Sequence, residues 1–242
     1  MDIHKPKPWH GLREFLKEYG IIVLGVLTAL GLEQAVEAFH WRHEVEQERK
    51  VLLLEASANV GAVAYRVSEN ACLENRLSEL EAIFTDKSRH GLSQKEFHTP
   101  HPPFDVESTG SWEIALSGQA LAHMPLSEKL AFSDAFDAYK GFNRLRNDED
   151  SIWRRFELIS HASILNQNDW SALHQTFGEA SAINKRMKSL TGYIIANATL
   201  GQRPKKFLES NADRQEMTAF CSPMLATSAA KSVRSDLKVS VR

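Results

Sequence analysis

The sequence holds only two cysteines, Cys72 and Cys221, in 242 residues. That is too few for a disulfide framework or a four-cysteine zinc site. It has no excess of either charge: 29 Lys and Arg stand against 31 Asp and Glu. Nucleic-acid binding usually needs a strongly basic face, so no nucleic-acid partner is expected. G-x-S-x-G, H-E-x-x-H, C-x-x-C and a phosphate-cradling glycine loop are all missing. No nucleophile with an identifiable base can be named, so no catalytic residue and no cofactor is assigned. No stretch alternates like a strand for more than a few residues. Proline is absent from Leu12 to Phe84. Those last two absences leave an all-α fold.

What remains is ordinary in bulk, with 43% hydrophobic and 25% charged residues. These values exclude whole-chain disorder and a multi-span membrane protein. The bulk conceals one unusual segment. Tyr19 to Leu32 reads YGIIVLGVLTALGL, with no charge. Ile21, Leu24, Val26, Leu27 and Leu30 point to every side of a helix, leaving no polar face. Three roles fit: a central core helix, a cleaved signal peptide and a membrane anchor. The core helix suits an apolar run of about 10–14 residues. The signal peptide meets a long, acid-containing leading segment, with Val36 and Ala38 as small residues before a cut. The anchor needs about 20 residues, and Leu16 to Val36 supplies them if Lys17, Glu18 and Glu33 reach the headgroups. Tyr19, Phe39 and Trp41 then fall at interfacial depth. Four basic residues precede the span and three follow closely, which weakly favours a cytoplasmic N-terminus.

Arg13 to Glu46 reads REFLKEYGIIVLGVLTALGLEQAVEAFHWRHEVE. It resembles the opening of a family of uncharacterised bacterial single-pass membrane proteins. Trp112, the ALAHMP stretch from Ala120 to Pro125, and the Cys221-Ser222-Pro223 triplet resemble that family's later features. The resemblance implies an inner-membrane anchor carrying a helical extracytoplasmic body, and it implies no activity.

Periodicity organises the rest. Val45, Leu52, Ala56, Val60, Val63, Val67, Ala71, Leu77, Leu80 and Phe84 form one stripe on a long helix. Residues 41–84 would span about 65 Å, with a bend expected near Asn59-Val60-Gly61. This helix either packs on its own chain or forms a dimeric coiled-coil stalk. Residues 85–108 read as a loop carrying His90, His98 and His101. A short helix follows from Trp112 to His123, capped by Ser108, Thr109 or Ser111. The next long helix starts at Pro125 or Leu126. Leu126, Leu130, Phe136 and Tyr139 are its expected first apolar face, Gly141 its expected kink, and Asp148-Glu149-Asp150 a solvated run. Asn168 or Asp169 is expected to cap the last long helix. Its stripe runs through Trp170, Leu173, Phe177, Ala180, Ile183, Met187, Leu190, Ile194 and Ala198 to Gly201, and Pro204 stops it. A segment from Phe207 to Phe220 reads as helical, and the tail from Thr227 reads as disordered. The expected division is a tail (1–15), an anchor (16–38), a helical body (39–225) and a terminal tail (226–242).

Few constellations carry chemistry. Glu33, Glu37, His40, Glu44 and Glu48 share one helix face. Glu37-x-x-His40 has the carboxylate–imidazole spacing of di-iron bundles, and its nearest counterpart is Glu157 with His161. The expected reading is an interfacial polar face without metal. Gly25, Ala29, Gly31 and Ala35 are small-x-x-x-small pairs that would let a second membrane helix approach, in a homodimer or with a membrane protein partner. Outside the cytoplasm Cys72 and Cys221 would meet an oxidising compartment and could bridge, closing a loop worth up to roughly 5 kcal/mol; two buried thiols are the alternative. The leading expectation is a single-pass inner-membrane protein with a periplasmic binding module. A ligand-sensing bundle that signals through a partner and a metal-dependent enzyme are the alternatives.

Overall fold

The computed structural model describes residues 11–85, 101–104, 106–198 and 211–224. Among these the fold is all-α, with no strand. Helix α1 (Leu12–Ser68) passes into α2 (Asn70–Thr85); α3 (Gly110–Ser117) and α4 (Ala120–His123) lead to α5 (Leu126–Arg155). A 3-10 segment (Phe156–Ile164) turns the chain into α6 (Gln167–Ala196), and α7 (Asn211–Cys221) follows. Expectations for residues 1–10, His90, His98, the Pro204 stop and the tail from Thr227 lie outside the described residues.

α1 and α2 form nearly one rod of 74 residues, about 110 Å long at the helical rise. At Asn59-Val60-Gly61, where a bend was expected, the helix is not interrupted. These three residues are buried inside a continuous helix, and Asn59 donates to the Ser108 carbonyl at 2.8 Å. The interruption comes at Glu69, whose N–H turns back to the Arg66 carbonyl at 3.2 Å. Tertiary contact thus holds Gly61 helical, while a buried charge marks the break.

From Val45 onward the rod packs on its own chain rather than waiting for a second stalk. Val45, Leu52, Ala56, Val60 and Val63 join Trp112, Phe132, Phe136, Tyr139, Phe142, Ile183 and Met187 in one apolar cluster. A second cluster lies farther along the rod: Leu73, Leu80 and Ile83 with Trp153, Phe156, Ile159, Trp170, Leu173 and Phe220. α5 and the rod run the same way, and α6 returns between the two clusters' helices.

Between the clusters lies a layer of buried charge. Arg66 binds Glu149 through two bonds, at 3.1 and 2.6 Å, and also reaches Asn70 at 2.8 Å and Asn184 at 3.3 Å. Arg146 donates to Glu149 at 2.6 Å and to the Pro103 carbonyl. Glu69 lies 3.5 Å from Arg66 and 3.6 Å from Arg146. All four charged side chains are at most 5% exposed. The solvated run expected at Asp148-Glu149-Asp150 is therefore corrected: Asp148 is exposed, but Glu149 is a core residue.

Other boundaries also differ. The helix expected over 112–123 is split, because Gly118 adopts an extended backbone with ψ 169°. The start of α3 is capped from another helix: Glu55 of α1 accepts the Ser111 N–H at 2.9 Å, and Thr109 makes no cap bond. Met124 is extended ahead of Pro125, as the pre-proline restriction requires. α5 is continuous through Gly141, where an added Cβ would touch only Leu190, at 3.8 Å. Leu126 and Leu130 are exposed; the buried face is Phe132, Phe136, Tyr139, Phe142 and Leu145. α6 is capped two or three residues earlier than expected. Asn166 accepts the Asn168 and Asp169 N–H groups, and Asp169 accepts the Asn166 N–H at 2.8 Å, completing a capping box.

Two outcomes are expected in urea unfolding of the full chain in detergent. Glu149→Ala strands two buried arginines and should cost about 3–5 kcal/mol, while Asp148→Ala should stay within about 0.5 kcal/mol. The second concerns Tyr139, whose hydroxyl donates to the Ala56 carbonyl at 3.3 Å and whose pKa burial pushes up to about 12. The raised value means its contribution is full below the unfolded pKa, about 10, and is lost as pH rises through 12. The stability gap between wild type and Tyr139→Phe should therefore shrink over that window. A constant gap from pH 9 to 12 would count against it.

Candidate functional site

Three regions of the fold could meet something other than this chain. The first is the start of α1. Ile21, Leu24, Val26, Leu27 and Leu30 are all exposed, and none of the most apolar 18-residue window is buried. Leucine and isoleucine this exposed cannot be a core helix, so that alternative is removed. This is one helix long and apolar enough to cross a membrane. The Thr28 hydroxyl is internally satisfied, donating to the Leu24 carbonyl at 2.7 Å. Open space surrounds Gly25 and Gly31, and Ala29 and Ala35 are exposed beside them. Glu33 is exposed, with no partner among the described residues.

The second region is where this helix meets the body. Trp41 stacks on His123 of α4, with ring centroids 4.0 Å apart and planes 12° from parallel. The Trp41 indole also donates to Glu37, at 3.3 Å. About two turns on, Arg49 bridges Glu46 at 2.5 Å and Glu128 of α5 at 2.9 Å. Those carboxylates raise the Arg49 pKa above its ordinary value, the Glu128 hydrogen bond contributing most. Glu46 also lies 3.9 Å from Lys50, a contact secondary to the Arg49 pair. Nearby, α5 and α6 leave a groove of about 410 Å³, lined by Leu130, Ala135, Tyr139, Tyr193, Ile194 and Ala198. Ser127, Asp134 and Asn197 add polar groups to its lining, and it is open to solvent.

The third region is the far cluster, where α7 is fastened to α2. Cys72 and Cys221 are joined by a disulfide, with Cα atoms 4.9 Å apart. Beside it, Arg76 donates to the Phe220 carbonyl at 2.5 Å and to that of Ser222 at 2.7 Å. Its guanidinium also lies over the Phe220 ring, 5.7 Å from the centroid. Glu79 accepts the Met224 N–H at 3.2 Å. These bonds satisfy carbonyls that the end of α7 leaves open. Burial lowers the Arg76 pKa, and Glu79 partly offsets the shift. Sequence reasoning missed Arg76 and Glu79; their i,i+3 spacing was visible, but their target lies about 145 residues away.

The residues proposed for metal do not converge. Glu37 and His40 sit on the exposed start of the rod, whereas Glu157 and His161 are exposed on the 3-10 segment of the far cluster. Among the described residues no three His, Cys, Asp or Glu side chains form a group that could hold a metal ion. His101, the one described loop histidine, sits 3.2 Å from the Pro102 carbonyl through Nδ1.

Replacing both Cys72 and Cys221 with serine is expected to cost about 2–4 kcal/mol. Arg76 should keep α7 docked in that variant, so amide exchange over 211–221 stays protected. Adding Arg76→Met should release it. Full exchange of α7 in the double-serine protein would contradict the role given to Arg76.

No protein-family model, curated protein or solved structure matches this chain.

Proposed function

We propose that this is a single-pass membrane protein whose helical body acts by binding a partner outside the cytoplasm. The observation that carries the reading is the bare apolar start of α1. An isolated helix whose leucines, isoleucines and valines all face outward is stable only where the surroundings are apolar. Leu16 to Val36 measures about 30 Å, the thickness of a bilayer's hydrocarbon core.

The orientation has separate support. A disulfide between Cys72 and Cys221 suits an oxidising compartment, which favours a body outside the cytoplasm and a short N-terminal tail inside. With the resemblance of Arg13 to Glu46 to bacterial single-pass proteins, the reading becomes an inner-membrane anchor and a periplasmic body. The open groove between α5 and α6, with apolar and polar side chains mixed along it, suits a protein partner better than an enclosed small ligand. The ligand-sensing alternative would need an enclosed pocket. The metal-dependent alternative loses its residues, since Glu37, His40, Glu157 and His161 do not form a group.

The full chain is expected to remain with membranes through alkaline carbonate washing. Protease added to spheroplasts should digest the body, and the body should resist in intact cells. Recovery of the whole chain in a soluble fraction would refute the anchor. Protection of the body in spheroplasts would refute the orientation alone.

A further inference from the structure

The end of the body that faces the apolar helix is shaped for more than a joint. Phe39, just past the span, is 69% exposed, and Trp41 is half-buried two positions later. At that level a cleft of about 520 Å³ opens between the rod and the α4–α5 corner. Its walls include Ala38, Trp41, Arg42, Val45, His123 and Pro125.

The wall is chemically divided. Ala38, Val45, Pro125 and the Trp41 ring are apolar. Arg49, at the inner side, is neutralised by Glu46 and Glu128. Arg42 is exposed and has no ion-pair or hydrogen-bond partner among the described residues. Glu46 also lines the cleft, committed to Arg49, so the cleft offers one uncommitted guanidinium, Arg42, beside apolar side chains. On α1 the cleft begins at Ala38, three residues past the exposed Ala35 at the end of the apolar segment. Leu126, next to Pro125 at this corner, is 68% exposed and lengthens that apolar rim.

We propose that this cleft binds the headgroup of a phospholipid, with the phosphate on Arg42 and the first methylenes along Trp41 and Ala38. The proposal rests on the reading that Leu16 to Val36 spans a bilayer. On that reading Trp41 stands about 7 Å beyond Val36 along the helix, at headgroup depth. Arginine pairs well with phosphate because its planar fork makes charge-assisted bonds to two oxygens. A free phosphate would use Arg42 but gain nothing from the apolar side chains. A lipid uses both, which is why the lipid is the occupant argued for.

The full-length chain, extracted in mild detergent from membranes of phosphatidylethanolamine and phosphatidylglycerol, tests this by native mass spectrometry. Wild type is expected to keep one phospholipid per chain. Arg42→Gln should retain about tenfold less, the loss expected of one charge-assisted contact. Arg42→Lys should fall between them, and Arg144→Gln, on an exposed part of α5, should match wild type. Excess inorganic phosphate should leave the lipid in place. Equal retention by wild type and Arg42→Gln overturns the proposal, and so does displacement by phosphate alone. Release of the chain from membranes without detergent instead overturns the anchor reading, and the cleft proposal falls with it. A chain that stays in the membrane but holds lipid independently of Arg42 sinks the cleft proposal only.

Discussion

The body is organised by one buried constraint: two arginines and two glutamates must be kept together where water does not reach. Arg66 and Glu69 come from the α1–α2 rod, and Arg146 and Glu149 come from α5. Asn184 brings in α6, and the Pro103 carbonyl brings in the segment before α3. Formally the four charges cancel. Their geometry is restrictive, because the two Arg66 bonds to Glu149 hold only in one register of α5 against the rod. Hydrophobic burial tolerates a sliding helix, since one leucine replaces another at small cost. A bidentate ion pair surrounded by protein does not. The layer adds little net stability, for burying charge is expensive. It selects one packing from the several that the apolar stripes would permit.

The same layer explains why the core is divided. On the rod the stripe reads Val60, Val63, then Arg66, Glu69, then Leu73. On α5 it reads Phe142, Leu145, then Arg146, Glu149, then Trp153. On α6 Asn184 falls between Ala180 and Met187. Each helix carries the polar interruption at the same height, so each apolar cluster is closed at one end by the charges. The interruption at Glu69 is also where the rod breaks its regular bonding. The helix yields at the residue that must turn a carboxylate toward both arginines, not at Gly61, which the first cluster clamps.

Periodicity made some of this visible in the sequence and concealed the rest. The α6 stripe from Trp170 to Ile194 was legible because every third or fourth residue is apolar and packing follows that spacing. The apolar segment at the start of α1 was legible because it contains no charge at all. Glu149 was not legible. Within Asp148-Glu149-Asp150 the three acids look alike, and only a partner 83 residues away separates the buried one. Arg76 and Glu79 were hidden in the same way. Glycine was a poor guide twice: Gly61 and Gly141 are unfavourable in an isolated helix, but both lie inside uninterrupted helices that tertiary packing stabilises along their length. The α6 cap was misplaced although Asn166 and Asp169 have capping-box spacing, because Asn168 offered an equally plausible start. Local rules rank neighbouring caps poorly; the chain's emergence from the 3-10 segment decided it.

The rod also fixes how the proposed site relates to the body. A flexible linker after an anchor would let the body wander, and no face of it would have a defined height above the bilayer. Here the helix that leaves the apolar span is the helix that carries Val45, Leu52 and Ala56 into the core, with no break before Ser68. The stack of Trp41 on His123 and the bridge from Arg49 to Glu128 brace the body against the rod at its very base. In the proposed topology, height and tilt of the body then follow from those of the anchor. Residues such as Arg42, Leu126 and the rim of the α5–α6 groove stand at a set distance from the lipid. The disulfide holding α7 sits beyond the charged layer, in the other cluster, and leaves this surface untouched.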